Sequence, residues 1–223
     1  MERFNSFQYE LMRDMAQSSE RILVPKSIDA VSGVAAFTII TGIEIPDTLY
    51  DKGYVKSGGR SFRLVPGGDM PGQIAAGWGD VAICSTELVA EAGNASVLGL
   101  RLGMSVCRYS VLALDEAADD WRAFLERASR YPIEPRRLPA SFPNFLGMIA
   151  AGRDLPILPL DVPISGKGEA TMLDSGIFAV ADRVVSGETV RKMGGQEVFW
   201  LADIYPELVV RSCDADAYRT RAA

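Results

Sequence analysis

Residues 177–195 read IFAVADRVVSGETVRKMGG and give the clearest indication of the fold of this chain. An apolar run ends at Asp182, a turn of small residues follows, and a helical segment with two basic residues leads to Gly194. A strand that passes through a short turn into a helix is the repeating unit of α/β proteins, whose sheets are mostly parallel. The stretch therefore predicts an α/β fold.

The same alternation of strands and helices runs through most of the chain. Short apolar segments typical of strands are separated by stretches with apolar residues three or four positions apart, which is the spacing of helices. The predicted strands are 22–24, 61–65, 80–84, 107–114, 136–140, 156–160 and 177–181. The predicted helices cover 70–78, the segment after Ser85, and 121–128, and residues 1–20 form an amphipathic N-terminal helical extension.

Composition limits the class of protein. The 223 residues include 23 Lys+Arg and 29 Asp+Glu, so the formal net charge of −6 disfavours a nucleic-acid binder. The apolar share of 48% is that of an ordinary globular protein, and no apolar run approaches the roughly 18 residues that a membrane span needs. The N-terminal segment lacks the apolar core of a signal peptide. We therefore expect a cytoplasmic protein.

The chain contains no histidine. This excludes Ser-His-Asp and Cys-His nucleophile systems, histidine metal sites and histidine proton shuttles. Cys84, Cys107 and Cys213 are widely spaced and lack a CxxC pair, which is typical of buried apolar residues rather than of disulfides or zinc ligands. An enzyme of this composition works through positioning, backbone amides, carboxylates, lysines or a metal ion that the substrate carries.

The turn 186–189 is the first candidate site. A strand, a small turn and a helix N-terminus bring free backbone amides and a positive dipole end together, which suits a phosphate. Gly187 allows close approach of the backbone, and the hydroxyls of Ser186 and Thr189 can donate hydrogen bonds. Asp182 can accept hydrogen bonds from the hydroxyls of a sugar. The same residues also suit a purely structural cap and turn, and both interpretations stay open.

Two further segments have the composition of anion sites. Residues 164–172, ISGKGEATM, place two glycines and Lys167 before a predicted helix, which suits phosphate or pyrophosphate, although the spacing is not that of a Walker motif. Glu169 is the reactive carboxylate of this segment. The third candidate is Lys26, which follows the first strand and faces the carboxyl edge of a parallel sheet, the usual place for a ligand.

Five segments, in their order along the chain, resemble ATP phosphoribosyltransferases. The family's DIPxxVxxGxxDLGIxGxDxLxE stretch corresponds to residues 69–91, its FGxCRLxxA to 102–113, and its RIATxYPN to 137–144. The resemblance covers about residues 21–212, and five motifs in the family's order are a much more specific match than any one of them.

The two downstream motifs carry the residues that would bind substrate. The family's SGxxE falls on Ser165, Gly166 and Glu169. Its strand that ends in aspartate, followed by a TGxT turn, falls on Asp182 and residues 186–189. The distance between the two motifs also matches the family without a gap.

The resemblance implies a type II periplasmic-binding-protein-like fold, with two α/β lobes joined by crossing strands around a central cleft. Lobe one would take residues 21–103 and 191–212, lobe two residues 104–190, and residues 213–223 a C-terminal tail. Only 28 residues follow Gly195 (223 − 195), too few for the family's regulatory domain. The chain thus resembles the short form, which works with a histidyl-tRNA-synthetase-like subunit, and we expect a homo-oligomer.

The resemblance also implies a reaction. A phosphoribosyl group would pass from phosphoribosyl pyrophosphate to a ring nitrogen of ATP or a related heterocycle, with Mg²⁺ arriving on the substrate. The residues implied for the 5′-phosphate are Ser186, Gly187, Glu188 (through its backbone amide) and Thr189, with Asp182 for the ribose. The residues implied for pyrophosphate or the acceptor are Lys26, Ser165, Gly166, Lys167 and Glu169, of which Lys167 and Glu169 are the catalytic candidates.

The chain departs from the family at three places. Asp29, after Ile28, stands where the first-strand motif K[SG]GRL has arginine. Residues 66–68 replace an arginine that precedes the DIP motif in the family. Phe178 replaces a second aspartate of the family. The loss of two arginines weakens polyphosphate binding unless Arg60, Arg63 or Lys167 compensates. A second interpretation is therefore a non-catalytic small-ligand-binding or regulatory paralogue. A third, a lyase acting on a carboxylate, rests on fold analogy alone.

Overall fold

A computed structural model describes residues 6–26, 31–114, 126, 137–164 and 179–222. The chain divides into two compact units, Met1–Met104 with Tyr205–Ala223 (unit 1) and Ser105–Ile204 (unit 2). The chain returns to unit 1 at Tyr205 and not at residue 191 as expected. The reason is that the long strand before Tyr205 pairs within the sheet of unit 2.

Unit 1 is built on a six-stranded sheet. Its strands are β1 (Arg21–Pro25), β2 (Tyr54–Ser57), β3 (Arg60–Val65), β4 (Val81–Ser85), β5 (Val97–Arg101) and β11 (Pro206–Arg211), in the order β2-β3-β1-β4-β11-β5. Its helices are α1 (Ser6–Gln17), α2 (Val31–Thr41), α3 (Leu49–Lys52), α4 (Met70–Ala75), α5 (Thr86–Ala92) and α8 (Ser212–Ala222). β1 is parallel to β3 and β4, and β11 is antiparallel to β4 and β5. The carboxyl ends of β1, β3, β4 and β5 therefore lie at one edge.

The alternation of side chains along β1 supplies both faces of this sheet with a core. Ile22 and Val24 belong to a buried cluster with Met12 of α1 and Phe37 of α2, whereas Leu23 belongs to a second cluster. Ala215 of α8 lies in the first cluster. The expected N-terminal extension and C-terminal tail are thus packed parts of unit 1, because each buries an apolar face against the same side of the sheet.

The predicted helix 70–78 is shorter in the structure. α4 ends at Ala75, and Gly77 adopts a positive φ of 73° that ends the helical path. Trp78 is consequently 63% exposed instead of continuing the apolar stripe. A 3-10 turn at Gly67–Asp69 precedes α4.

Unit 2 has a five-stranded sheet. Its strands are β6 (Cys107–Ala113), β7 (Arg137–Ala140), β8 (Leu158–Pro163), β9 (Ala179–Val184) and β10 (Gln196–Ile204), in the order β10-β6-β9-β7-β8. β6 is antiparallel to β10 and β9, and β7 is parallel to β8 and β9. The helices of this unit within the described ranges are α6 (Pro143–Arg153) and α7 (Glu188–Lys192). The predicted helix 121–128 lies outside the described residues except for Glu126.

The three cysteines differ in environment. Cys84 is buried, Cys107 is half-buried and Cys213 is exposed, and none of the three forms a disulfide. The expectation of burial is therefore wrong for Cys213, because the residue lies on the outer face of α8. In the part of the chain that the structure describes, no helix has the length and apolar character needed to cross a bilayer.

Candidate functional site

Two polar residues meet where β7 ends beside β9. Ala140 pairs with Ala181 in a parallel register, and the backbone amide of Ser141 donates to the carbonyl of Ala181 over 3.1 Å. The next residue on β9 is Asp182. Because the carboxyl ends of parallel strands are the usual ligand-binding edge of an α/β sheet, this is the position at which a site is expected.

The carboxylate of Asp182 is buried and firmly bonded. The residue is 8% exposed. Its Oδ1 accepts a hydrogen bond from Ser141 Oγ at 2.5 Å and another from the Arg183 amide at 2.7 Å. Burial of a carboxylate costs free energy unless donors surround it. The two donors therefore explain how a polar residue persists in the middle of an apolar strand.

The turn 186–189 has a defined internal geometry. Gly187 has a φ of 70°, in the left-handed region that glycine adopts without strain. The Glu188 amide donates to Ser186 Oγ over 3.2 Å, and the Arg191 guanidinium donates to the carbonyl of Ser186 over 3.3 Å. The amide expected for phosphate is thus engaged by the turn itself. Arg191, one of the two basic residues that the sequence places in the following helix, brings a positive charge to the turn.

α7 is anchored but short. Its five residues bury Val190 against Leu112, Val180 and Val184, which fixes the turn over the β6–β9 face of the sheet. A helix of so few residues contributes little dipole. The phosphate-binding role of Ser186, Gly187, Glu188 and Thr189 stays a prediction. The structure brings these four residues together in one turn, a few positions after Asp182.

Lys26 lies at the carboxyl edge of the unit 1 sheet, as predicted from its place after β1. Its side chain is exposed, and its amide donates to the carbonyl of Val65 over 3.1 Å. Arg101, at the end of β5, is a second cation at this edge and was missed by the sequence analysis. Its guanidinium lies 4.0 Å from the centre of the Tyr205 ring. The sequence contains no indication of this role for Arg101, because residues 97–101 were not predicted to form a strand.

Two of the expected substitutes for the missing arginines, Arg60 and Arg63, donate to neighbouring glutamines, and Lys167 lies outside the described residues. Arg60 opens β3 at the amino edge of the sheet, where its guanidinium donates to the Gln17 carbonyl over 2.9 Å. Arg63 donates to Gln73 Oε1 over 2.5 Å. Arg60 therefore cannot serve a ligand at the edge that holds Lys26.

Two buried carboxylates stand at the start of α5 and β11, and neither was predicted. Glu87 is fully buried and accepts from Ser85 Oγ at 2.7 Å. Glu207 is 7% exposed and accepts from Thr86 Oγ1 at 3.2 Å. Burial raises the pKa of Glu207 to about 7. The bond between Thr86 and Glu207 ties α5 to β11, the strand by which the chain re-enters unit 1.

An ion pair links β6 to β10 in unit 2. Arg108 donates twice to Glu197, at 2.8 and 2.7 Å, and Ser110 Oγ donates to the same carboxylate at 2.6 Å. The hydrogen bonds from Arg108 hold the pKa of Glu197 below its usual value, and the same bonds raise the pKa of Arg108. Ser110 stands opposite Asp182 in the β6–β9 register.

Several predicted positions fall outside the described residues. They are Ser165, Gly166, Lys167 and Glu169, together with Ile28, Asp29 and Phe178. Ile164, the last described residue before 165–169, donates its amide to the carbonyl of Ala140 over 3.1 Å. Within the described ranges, no group of three or more acidic or cysteine side chains is arranged to hold a metal ion.

Sequence comparison gives a relative with a known activity. No protein-family model matches the chain. A curated ATP phosphoribosyltransferase from Gemmatimonas aurantiaca is 30% identical over 130 residues. The match takes in 58% of this chain and 42% of that relative, so it spans less than half of the relative's length. This similarity confirms the resemblance that the motifs indicated.

Solved structures share the fold. The ATP phosphoribosyl transferase (HisG:HisZ) complex from Thermotoga maritima contains a chain that matches with a TM-score of 0.63 at 15% identity, over 90% of this chain and 92% of that one. The periplasmic VFT2 domain of Bordetella pertussis BvgS matches at 0.52 and 10% identity over 93% and 86%. The aliphatic sulphonate binding protein SsuA from Escherichia coli matches at 0.51 and 12% identity over 91% and 68%. The predicted periplasmic-binding-protein-like α/β fold is confirmed.

Proposed function

We propose that this chain is a phosphoribosyltransferase that moves the phosphoribosyl group of phosphoribosyl pyrophosphate to a ring nitrogen of ATP or a related nitrogen heterocycle. The single observation that carries the proposal is the sequence similarity to a curated ATP phosphoribosyltransferase. The buried carboxylate of Asp182, which accepts two hydrogen bonds beside the carboxyl end of β7, supports the proposal.

The chemistry suits a chain without histidine. The lone pair of the ring nitrogen forms a bond to the anomeric carbon, and the bond from that carbon to oxygen breaks with its electron pair leaving on pyrophosphate. Mg²⁺ bound to the substrate neutralises the charge that develops on the leaving group. The protein then has to hold donor and acceptor in line and to bind their charges, which is catalysis by positioning and electrostatics.

Each candidate residue has a place in this proposal. Asp182 accepts hydrogen bonds from ribose hydroxyls, and the turn 186–189 with Arg191 binds the 5′-phosphate. Lys26 keeps the role in pyrophosphate or acceptor binding that the resemblance implies, and Arg101 is a second cation at the same edge of the unit 1 sheet. Lys167 and Glu169, with Ser165 and Gly166, keep the roles in pyrophosphate and acceptor binding that the resemblance implies.

The proposed setting follows from the same similarity. We propose histidine biosynthesis as the pathway, a partner subunit related to histidyl-tRNA synthetases, and a homo-oligomeric state. The structural neighbour from Thermotoga maritima is a complex of two kinds of subunit, which supports the partner. Phosphoribosyl pyrophosphate and ATP are cytoplasmic metabolites, so a cytoplasmic location is part of the proposal.

Release of pyrophosphate from phosphoribosyl pyrophosphate tests the function. The assay is run with ATP and with a panel of nitrogen heterocycles, with and without a candidate partner subunit. We expect release that depends on both the acceptor and Mg²⁺, and that is lost in Asp182→Ala. Absence of release with every acceptor, with and without the partner, would contradict the proposal.

A second candidate is a non-catalytic ligand-binding protein. Two observations favour it: binding proteins share the fold, and Asp29 introduces a negative charge where the family motif has arginine. Calorimetry separates the two functions. Saturable binding of phosphoribosyl pyrophosphate without any turnover would favour the binding protein.

A further inference from the structure

Ser141 is a residue to which the motif comparison assigns no role. It is the first residue after β7 and stands two positions before α6. Its backbone amide donates to the carbonyl of Ala181 over 3.1 Å, which fixes it against β9. The backbone bond places its side chain beside Asp182, the next residue on that strand.

The hydroxyl of Ser141 donates a hydrogen bond to the carboxylate of Asp182. Its Oγ lies 2.5 Å from Asp182 Oδ1, and the Arg183 amide donates to the same oxygen over 2.7 Å. Hydrogen bonds to a charged acceptor are short and strong. Two donors that converge on one oxygen from different directions fix the rotation of the carboxylate, and with it the direction of the second oxygen.

The serine is itself held by its neighbours. The carbonyl of Phe142 accepts from the hydroxyl of Tyr109 over 3.3 Å, and the two rings lie 6.1 Å apart. The guanidinium of Arg183 lies 5.5 Å from the centre of the Phe142 ring. Tyr109 is fully buried. Residues 141 and 142 therefore form a rigid support, the kind of arrangement that keeps a binding group in its productive geometry.

We infer that Ser141 is a positioning residue, whose hydroxyl sets the direction in which Asp182 meets the ribose hydroxyls of the substrate. The inference rests on the proposed function. It adds a determinant of sugar recognition: a chain that lacks this hydroxyl keeps the carboxylate but loses its orientation. Phosphate binding, which belongs to the turn 186–189, is independent of Ser141.

Discrimination between two sugars tests the inference. Calorimetry on the full chain compares ribose 5-phosphate with 2-deoxyribose 5-phosphate, which carries the same phosphate and lacks one ribose hydroxyl. In Ser141→Ala we expect affinity for ribose 5-phosphate to fall by about tenfold, the usual effect of one hydrogen bond to a charged group, with little change for the deoxy sugar. In the Asp182→Ala background, which has no carboxylate to orient, Ser141→Ala should add nothing further, since coupled residues are not additive.

Two matched comparisons separate orientation from general damage. Ser141→Thr and Ser141→Val have the same shape and differ in the hydroxyl, so only the threonine variant should keep the discrimination. Ser110→Ala removes a comparable bond, 2.6 Å to Glu197, from the same sheet and should leave the sugar preference unchanged. Equal preference in the Thr and Val variants would overturn the inference. Failure of the unaltered chain to bind either sugar phosphate would instead overturn the proposed function on which it rests.

Discussion

At the scale of single residues, Asp182 combines a proposed binding role with a structural one. Asp182→Asn keeps an acceptor for Ser141 and Arg183, so we expect the free energy of unfolding to fall by less than about 1 kcal/mol. Asp182→Ala leaves two partly buried donors, the Ser141 hydroxyl and the Arg183 amide, without their acceptor and should cost about 1–3 kcal/mol. Urea denaturation measures both variants. Equal losses would mean that the two hydrogen bonds do not stabilise the fold.

Gly187 allows the phosphate turn to be tested with a matched control. Its φ is 70°, and that of Gly53 in a remote turn is 74°. Alanine at either position costs about 1 kcal/mol of stability, because a side chain disfavours this region of backbone. If the turn binds phosphate, only Gly187→Ala should also weaken binding of phosphoribosyl pyrophosphate. Melting temperature and calorimetry give the two readouts, and equal affinity in both variants would contradict the role of the turn.

The burial of Glu207 makes stability depend on pH. Its pKa is raised from 4.5 to about 7, so the folded chain holds a proton that the unfolded chain has already lost. The free energy of unfolding should therefore fall as pH rises through this window, by about 3 kcal/mol at 1.36 kcal/mol per pKa unit.

Urea denaturation between pH 4 and pH 8 checks this dependence. In Glu207→Gln, which carries no titrating group at this position, the fall should disappear. The exposed Glu44→Gln serves as the control and should leave it in place. A Glu207→Gln variant with the full pH slope would contradict the assignment.

At the scale of elements, the attachment of β10 depends on Glu197. This residue receives three hydrogen bonds from Arg108 and Ser110, whereas Glu188 of α7 forms an exposed i,i+4 pair with Lys192 at 2.8 Å. Glu197→Ala should cost about 2 kcal/mol, because it leaves a half-buried guanidinium and a buried hydroxyl without their acceptor. Glu188→Ala should cost less than about 0.5 kcal/mol. Equal losses in urea denaturation would show that the buried network adds no stability.

The local pattern of apolar residues was sufficient to predict the parallel strands of the unit 1 sheet. The predicted strands 22–24, 61–65 and 80–84 correspond to β1, β3 and β4, since an unbroken apolar run is the mark of a strand buried on both faces. β2, β5, β10 and β11 were missed. In β5 and β10, residues such as Gly99, Glu197 and Asp203 interrupt the apolar pattern. These interruptions are explained by long-range partners, which a local pattern does not contain.

The candidate site was predictable in position and not in detail. Asp182 and Gly187 located β9 and the turn that follows it, although β9 continues to Val184 instead of ending at Asp182. The contribution of Ser141 depends on the register of β7 against β9, and that of Arg101 on the insertion of β11 beside β5. Both pairings join segments that are far apart in the sequence, so the residues next to Ser141 or Arg101 do not indicate them.

At the scale of the whole molecule, β11 is the element on which unit 1 depends. It lies between β4 and β5 and pairs with both. A chain that stops after Ile204 keeps every described strand of unit 2 and loses an inner strand of unit 1. We expect it to lose a large share of its cooperative unfolding signal, with the remainder coming from unit 2. Circular dichroism with heating checks this, and an unchanged transition would contradict the dependence.

The place of β11 also fixes the order in which the units can fold during synthesis. The ribosome completes β6–β10 before it makes residues 206–211, so all the described strands of unit 2 are available while unit 1 still lacks a strand between β4 and β5. Domains usually fold from the N-terminus as they emerge. Here the first hundred residues have to wait with an incomplete sheet, in which the edges of β4 and β5 that later pair with β11 are unpaired. The nascent chain is therefore most exposed to chaperones and to aggregation just before its last strand emerges.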